Sequence, residues 1–219
     1  MLSSTISFCN NNLNPTVGCR NLGVEFDSEL SFKKQISTVC RTSFYHIRQL
    51  RQIRSILDTN STIILANALV SSKLDYCNSL YYGLPDSSLH QLQLVQNSLA
   101  RLVVPKVKRH DHISSTLKNL HWLPIKQRIE FKIASLTYKT LHFQQPGYLA
   151  EMLIPYEPSR ALRSSSLKLL SVPLVKSAIG RRSFSYSAPF IWNKLPLSLR
   201  LSPSIVTFLA NLKTHLFPP

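Results

Sequence analysis

Apolar residues change their period along the chain, and each change predicts an element. In Asn21-Leu22-Gly23-Val24-Glu25-Phe26-Asp27, Leu22, Val24 and Phe26 alternate with small or polar positions. That is the period-two pattern of a short half-buried strand, with Gly23 marking a bulge or close backbone approach. From Ser31 the spacing becomes three-four. Phe32, Ile36, Val39, Cys40, Phe44, Ile47 and Leu50 fall on one stripe of an amphipathic helix, with Ser31 placed to cap it. Between them stand Lys33, Lys34, Arg41, Arg48, Arg51 and Arg54, with no acid between Glu29 and Asp58.

A second helix, from Thr62 to about Leu74, is apolar nearly all round and is capped by Asp58, Thr59 or Ser61. Gly83 and Pro85 close an aromatic turn, and Asp86 or Ser87 caps a third helix carrying Leu89, Leu92, Val95, Leu99 and Leu102. Pro105 ends it, and Lys106-Val107-Lys108-Arg109-His110 forms a basic loop. A short helix is expected from Asp111 to Leu120, with Asp111 as its cap. Pro124 then sits in the first turn of another helix, where its missing N–H is harmless; Ile125, Ile129, Ile133, Leu136 and Leu141 are its buried edge. After Gln144-Gln145-Pro146-Gly147 the chain turns irregular and rich in proline, with an extended stretch from Leu167 to Val175. Ser202 or Ser204 caps a last helix containing Ile205, Phe208, Leu209, Leu212 and Leu216. The pattern predicts a mainly α fold with a small β element near residues 16–27 and an irregular C-terminal region.

Charge narrows the partners. Lys and Arg number 26 against 10 Asp and Glu, a formal +16, and beyond Glu157 there is no acid at all. Such a field attracts polyanions, which means nucleic acid or an anionic membrane face. No uninterrupted apolar run reaches the roughly 18 to 20 residues of a membrane span, so nucleic acid is the expected partner and membrane is not. Met1-Leu2-Ser3-Ser4 has neither the basic start nor the apolar core of a signal peptide, so an intracellular chain is expected. Cys9, Cys19, Cys40 and Cys77 form no C-x-x-C pair and are expected as reduced thiols.

Candidate chemistry is mostly excluded. With 5 glycines, the chain holds neither G-x-x-x-x-G-K-[ST] nor G-x-G-x-x-G, and its serines stand in no G-x-S-x-G context. His110, His112 and His121 match no zinc spacing, and Cys77 has no identifiable His and Asn partners. No metal and no cofactor are expected. Trp122, Trp192, Tyr81, Tyr82, Tyr186 and Phe190 offer ring faces for unpaired bases, yet each lies beside Leu, Pro or Ile, as core aromatics do.

Seven blocks carry a more specific signal. They are residues 21–32 (from Asn21-Leu22-Gly23-Val24 to Ser31-Phe32), Leu74-Asp75-Tyr76-Cys77-Asn78, Leu94-Val95-Gln96-Asn97 and the run from Leu120-His121-Trp122-Leu123-Pro124 to Arg128-Ile129. Pro155-Tyr156-Glu157-Pro158-Ser159-Arg160, Ala188-Pro189-Phe190-Ile191-Trp192-Asn193-Lys194-Leu195-Pro196 and Leu212-Lys213-Thr214-His215-Leu216-Phe217 complete them. In this order they resemble the part that follows the catalytic palm in reverse transcriptases of jockey-like non-LTR (LINE-type) retrotransposons. The resemblance covers roughly residue 15 to the end. It implies residues 1–30 as a palm-end strand and turn, 31–145 as a helical thumb-like domain, and 146–219 as a basic C-terminal extension with a terminal helix.

The family's polymerase aspartates hold metal ions upstream of the matched segment, and this chain has no Asp-Asp dipeptide. The resemblance therefore implies a non-catalytic fragment whose missing partners are the palm and fingers, with a nuclear location if the parent's carries over. Leu22, Gly23 and Val24 fall where such enzymes place a primer grip. Lys33, Lys34, Arg41, Arg48 and Arg51 supply cations at helical spacing for phosphates, and Lys106, Lys108 and Arg109 add a loop of the same sign. A helical protein-interaction module and a non-functional repeat remnant remain as alternatives.

Overall fold

Two antiparallel hairpins open the chain in this computed structural model, which describes residues 6–8, 11–13, 16–108, 110–158 and 167–217. Strand β1 (Ile6–Phe8) pairs with β2 (Asn11–Leu13), and β3 (Gly18–Asn21) pairs with β4 (Val24–Asp27). Asn21 faces Val24, so Leu22 and Gly23 form a two-residue turn at φ 45° and 81°. Positive φ at both central positions matches the right-handed twist of a hairpin, and glycine takes it without steric cost. The single strand expected over 21–27 is thus a hairpin, because the sequence signal came from β4 alone. Val24 begins that strand and is buried rather than sitting in the turn.

Helix α1 (Lys33–Ile53) begins without the Ser31 cap expected of it. Phe32 precedes it at φ 54°, and the Asp27 carboxylate accepts the N–H groups of Ser31 and Phe32 at 2.8 and 2.7 Å. The end of β4 therefore staples the start of α1. Helix α2 (Thr59–Ala66) is capped by Asp58, whose carboxylate accepts the N–H of Ser61, and continues through a wide π turn, Asn67–Ser71, into α3 (Ser72–Asp75). Helix α4 (Asp86–Val103) packs along α1 and buries Leu92, Val95, Leu99 and Val103. Helix α5 (Ser114–Asn119) is shorter than expected, and Asp111 does not cap it. Its carboxylate instead accepts the N–H of Lys108, at 2.7 Å, inside the preceding loop.

Pro124 precedes α6 (Ile125–Phe143), whose inner side carries the expected Ile125, Ile129 and Ile133 together with Tyr138. After α7 (Gly147–Ala150) the described residues hold an isolated antiparallel bridge between Pro155 and Leu170 and a 3-10 turn, Gly180–Arg182. Then α8 (Phe184–Lys194), α9 (Leu197–Arg200) and α10 (Ile205–Leu216) follow. The protein is mainly helical with a small antiparallel β element near the N-terminus. Helix α8 was hidden in the sequence by Pro189, which removes one helical N–H. Burial of Ala188, Ile191 and Trp192 outweighs that loss, as tertiary packing usually decides helix stability. Ser204 caps α10 by accepting the Thr207 N–H at 3.2 Å.

A single apolar cluster runs from Val24 through Ile36, Leu50, Leu99 and Ile133 to Trp192, Phe208 and Leu212. It crosses residue 145 without a break. Tyr138 stacks on Phe208 at 4.3 Å and on His142 at 4.0 Å, and its hydroxyl donates to the Ser202 carbonyl at 2.8 Å. Asn193 exchanges two hydrogen bonds with the Leu170 backbone, at 2.9 and 2.7 Å, and the Trp192 indole donates to the Lys168 carbonyl at 3.1 Å. Both tryptophans are buried and act as packing residues, Trp122 at 6% exposure and Trp192 at 2%.

Candidate nucleic-acid interface

Helix α1 divides its residues by angle. At about 100° per residue, Gln35, Ile36, Val39, Ser43, Ile47 and Leu50 share one side, and all are buried. Lys33, Lys34, Arg41, Arg48 and Arg51 fall within an arc of roughly 100° on the other, and all are exposed. From Lys33 to Arg51 the row extends about 27 Å at 1.5 Å per residue. Lys34 bonds the Glu25 carboxylate at 3.0 Å, yet 80% of its side chain stays exposed. Lys33, Arg41, Arg48 and Arg51 make no ion pair among the described residues.

Arg54, one turn beyond Arg51, is not part of that row. Its guanidinium donates to the carbonyls of Leu57, Leu102 and Val103 at 2.9, 3.1 and 3.3 Å, which closes the end of α4. At the same 100° per residue Arg54 falls beside Ile36 and Ile47 on the buried side, so the helical period already sets it apart from the row. Its partners on α4, some fifty residues away, are what the sequence does not show.

Pro105, which stands just before the expected basic loop, meets this end of α1. Arg51, Arg54, Arg101 and Pro105 line one cavity of about 440 Å³, and Lys106 and Lys108 follow Pro105 as exposed residues. Arg101 folds the loop by donating to the carbonyls of Lys108 and Asp111, both at 3.3 Å. Arg109 lies outside the described residues. At the other end, the β3–β4 hairpin docks on the start of α1, where the Glu25 N–H donates to the Gln35 amide oxygen at 3.0 Å. Leu22 is 83% exposed at the hairpin tip, and the Tyr76 hydroxyl donates to its carbonyl. Hairpin, cation row and basic loop therefore follow one helix in sequence.

A second concave site brings the ring residues Tyr82, Tyr186 and Phe190 together with charged residues that the sequence does not link to them. Tyr82, Asp86, Lys126, Glu130, Arg181, Tyr186, Phe190 and Lys194 are among those lining a cleft of about 490 Å³. Along α8, Tyr186 and Phe190 stack at 5.6 Å, and the Lys194 ammonium lies 4.0 Å from the Phe190 ring centre. Burial pushes the Tyr82 phenol up, and the neighbouring Glu130 carboxylate and Tyr186 phenol push it further. The sequence already offers Tyr82, Tyr186 and Phe190 as ring faces, and the i, i+4, i+8 spacing of Tyr186, Phe190 and Lys194 sets one wall. The other walls come from the turn at 81–84, α4, α6 and the residues just before α8.

A third cavity, of about 560 Å³, lies between the π turn and α6. The Asp75–Arg128 ion pair crosses its wall at 2.8 Å, and Arg128 also donates to the Leu123 carbonyl at 2.9 Å. Three of the blocks singled out in the sequence, those at 74–78, 120–129 and 212–217, meet around it. Among the described residues no three His, Cys, Asp or Glu side chains gather to hold a metal ion, and no helix is long and apolar enough to cross a membrane. Comparison with models of protein families, with curated proteins and with solved structures finds no match to this chain.

Proposed function

We propose that this chain is the thumb and C-terminal part of a LINE-type reverse transcriptase, and that it grips the sugar-phosphate backbone of a template–primer duplex without reading its sequence. It performs no catalysis itself; the palm and fingers of the parent enzyme are its partners. The observation that carries the reading is the row of Lys33, Lys34, Arg41, Arg48 and Arg51, exposed along one side of α1 and mostly free of carboxylates. Its length of about 27 Å matches roughly eight phosphate steps of one duplex strand. Cations at that spacing displace condensed counterions, and affinity then follows salt rather than base order.

The test is fluorescence anisotropy of the purified chain with an RNA–DNA hybrid duplex across a salt series. Log K is expected to fall linearly with log salt. Replacing Arg41, Arg48 and Arg51 together by Ala is expected to flatten that slope by up to about 2.7, near 0.9 for each phosphate that is no longer neutralised. A slope unchanged by the triple replacement would sink the gripping role. Template-directed nucleotide incorporation with magnesium or manganese would sink the non-catalytic one.

A further inference from the structure

We propose that the cleft between the start of α4, α6 and α8 holds one unpaired nucleotide of a single strand. The inference rests on the nucleic-acid reading above and adds to it a site for single-stranded chain. Three chemistries meet in the cleft. Tyr82, Tyr186 and Phe190 supply rings, all half-buried. Tyr186 stacks with Phe190, and the Lys194 ammonium covers one face of Phe190, which leaves the remaining faces for a base. Lys126 and Arg181 are exposed cations of the lining, with no ion pair among the described residues. Asp86 and Glu130 add carboxylates, which accept N–H donors.

Each simpler ligand leaves part of this lining unexplained. Inorganic phosphate would use the cations and ignore the rings. A hydrocarbon would use the rings and leave both charges beside it. A nucleotide carries all three complements: a phosphate, a π face, and N–H groups on its base edge. The cleft's volume of about 490 Å³ falls in the range of small-ligand sites, roughly 300 to 1,000 Å³. Paired bases in a duplex hide their faces against one another, so only an unpaired base can stack on a side chain.

Two further residues of the lining, Arg182 and Gly83, pack against each other. Arg182 donates to the Leu80 carbonyl at 3.4 Å, and its guanidinium lies 5.5 Å from the Phe32 ring centre. Gly83, at φ +70°, leaves only 2.8 Å between a built Cβ and the Arg182 Cγ, so the turn accepts no larger residue without displacing that arginine. Through Phe32 this wall touches the residue just before Lys33, the first cation of the α1 row. The single strand and the duplex therefore have binding elements that meet at one end of α1.

The test uses the full chain, a labelled oligo-dC 12-mer and a labelled 12-base-pair duplex, read by anisotropy at low salt. Replacing Tyr186 and Phe190 together by Leu keeps apolar bulk and removes the ring faces. It is expected to weaken the single strand on the order of ten- to a hundred-fold, while duplex affinity stays within about two-fold. Tyr186→Phe, which keeps a ring, is expected to bind like the parent chain. Should the double Leu variant melt early, Lys126→Gln with Arg181→Gln, both exposed, is read instead and is expected to weaken the single strand more than the duplex.

Single-strand affinity unchanged in both double variants overturns the cleft, and the α1 reading is then judged by its own triple replacement. If that triple replacement changes nothing while the cleft variants lose the single strand, the α1 reading falls and the cleft stands. Polyglutamate displacing the labelled strand as well as unlabelled oligo-dC does would mean that the cleft takes any acidic polymer, and overturns the inference.

Discussion

Replacing Arg54 by methionine keeps an apolar stem in place and deletes every N–H that the side chain donates. Those donors satisfy three carbonyls, at Leu57, Leu102 and Val103, two of them in the open last turn of α4. A hydrogen bond from a charged group contributes about 1.5 to 3 kcal/mol net, but Arg54 is half-buried and the freed carbonyls regain some water. The expected loss for the set is therefore about 2 to 3 kcal/mol, including the interaction of a cation with the end of the α4 dipole. In a chain of this size that lowers Tm by roughly 4 to 12 °C, read by circular dichroism at 222 nm. Arg51→Met is the matched control, because Arg51 is exposed and bonds nothing among the described residues. It is expected to change stability by no more than about 0.5 kcal/mol while weakening duplex binding. The reasoning fails if Arg54→Met melts with the parent chain, or if both variants melt equally early.

Two further outcomes follow from the way elements are tied together. Burial raises the Asp27 carboxyl, but the N–H groups of Ser31 and Phe32 and the Ser31 hydroxyl outweigh it and hold it below its ordinary 3.8. A depressed carboxyl adds stability above its unfolded pKa and loses it as pH falls through the folded one. Asp27→Ala is thus expected to cost about 0.5 to 2 kcal/mol at neutral pH, with the gap between the two chains closing below the ordinary carboxylate range. A gap that stays constant down to pH 2 would refute the staple. Tyr138→Phe removes the buried donor to the Ser202 carbonyl and is expected to cost about 1 to 3 kcal/mol in urea unfolding; an unchanged midpoint would show that this bond does not secure the tail.

Residues that act locally were legible in the sequence. Ile36, Val39, Ile47 and Leu50 of the α1 stripe, Asp58 and Ser204 from the caps that the pattern left open, and the proline start of α6 all depend on neighbours within one or two turns. Each stands where the pattern puts it. Phe44 of the same stripe is exposed, however, and neither Asp86 nor Ser87 caps α4. The cap of α1 escaped although it is local. Asp27 lies only four and five residues before Ser31 and Phe32, whose N–H groups it binds, across a strand-end turn with Leu30 and Phe32 at positive φ that no helical pattern shows. The other misses depend on distance along the chain. Arg54 stands on the apolar side of the α1 pattern, but the carbonyls that it serves on α4 lie some fifty residues away. The cleft needs Tyr82, Lys126 and Tyr186 from three segments, and no periodicity links them. The cation row itself was legible because charge and helical period coincide on one element.

The stack of Tyr138 on Phe208, with Trp192 beside it, constrains how any binding surface here can be mapped. A piece that stops before α8 would bare the aromatic side of α6 to water and present a sticky face that the intact protein hides. Weaker binding by such a piece would report damage to the scaffold rather than removal of a binding residue. Single replacements at exposed positions, with the whole chain kept, are the informative probes.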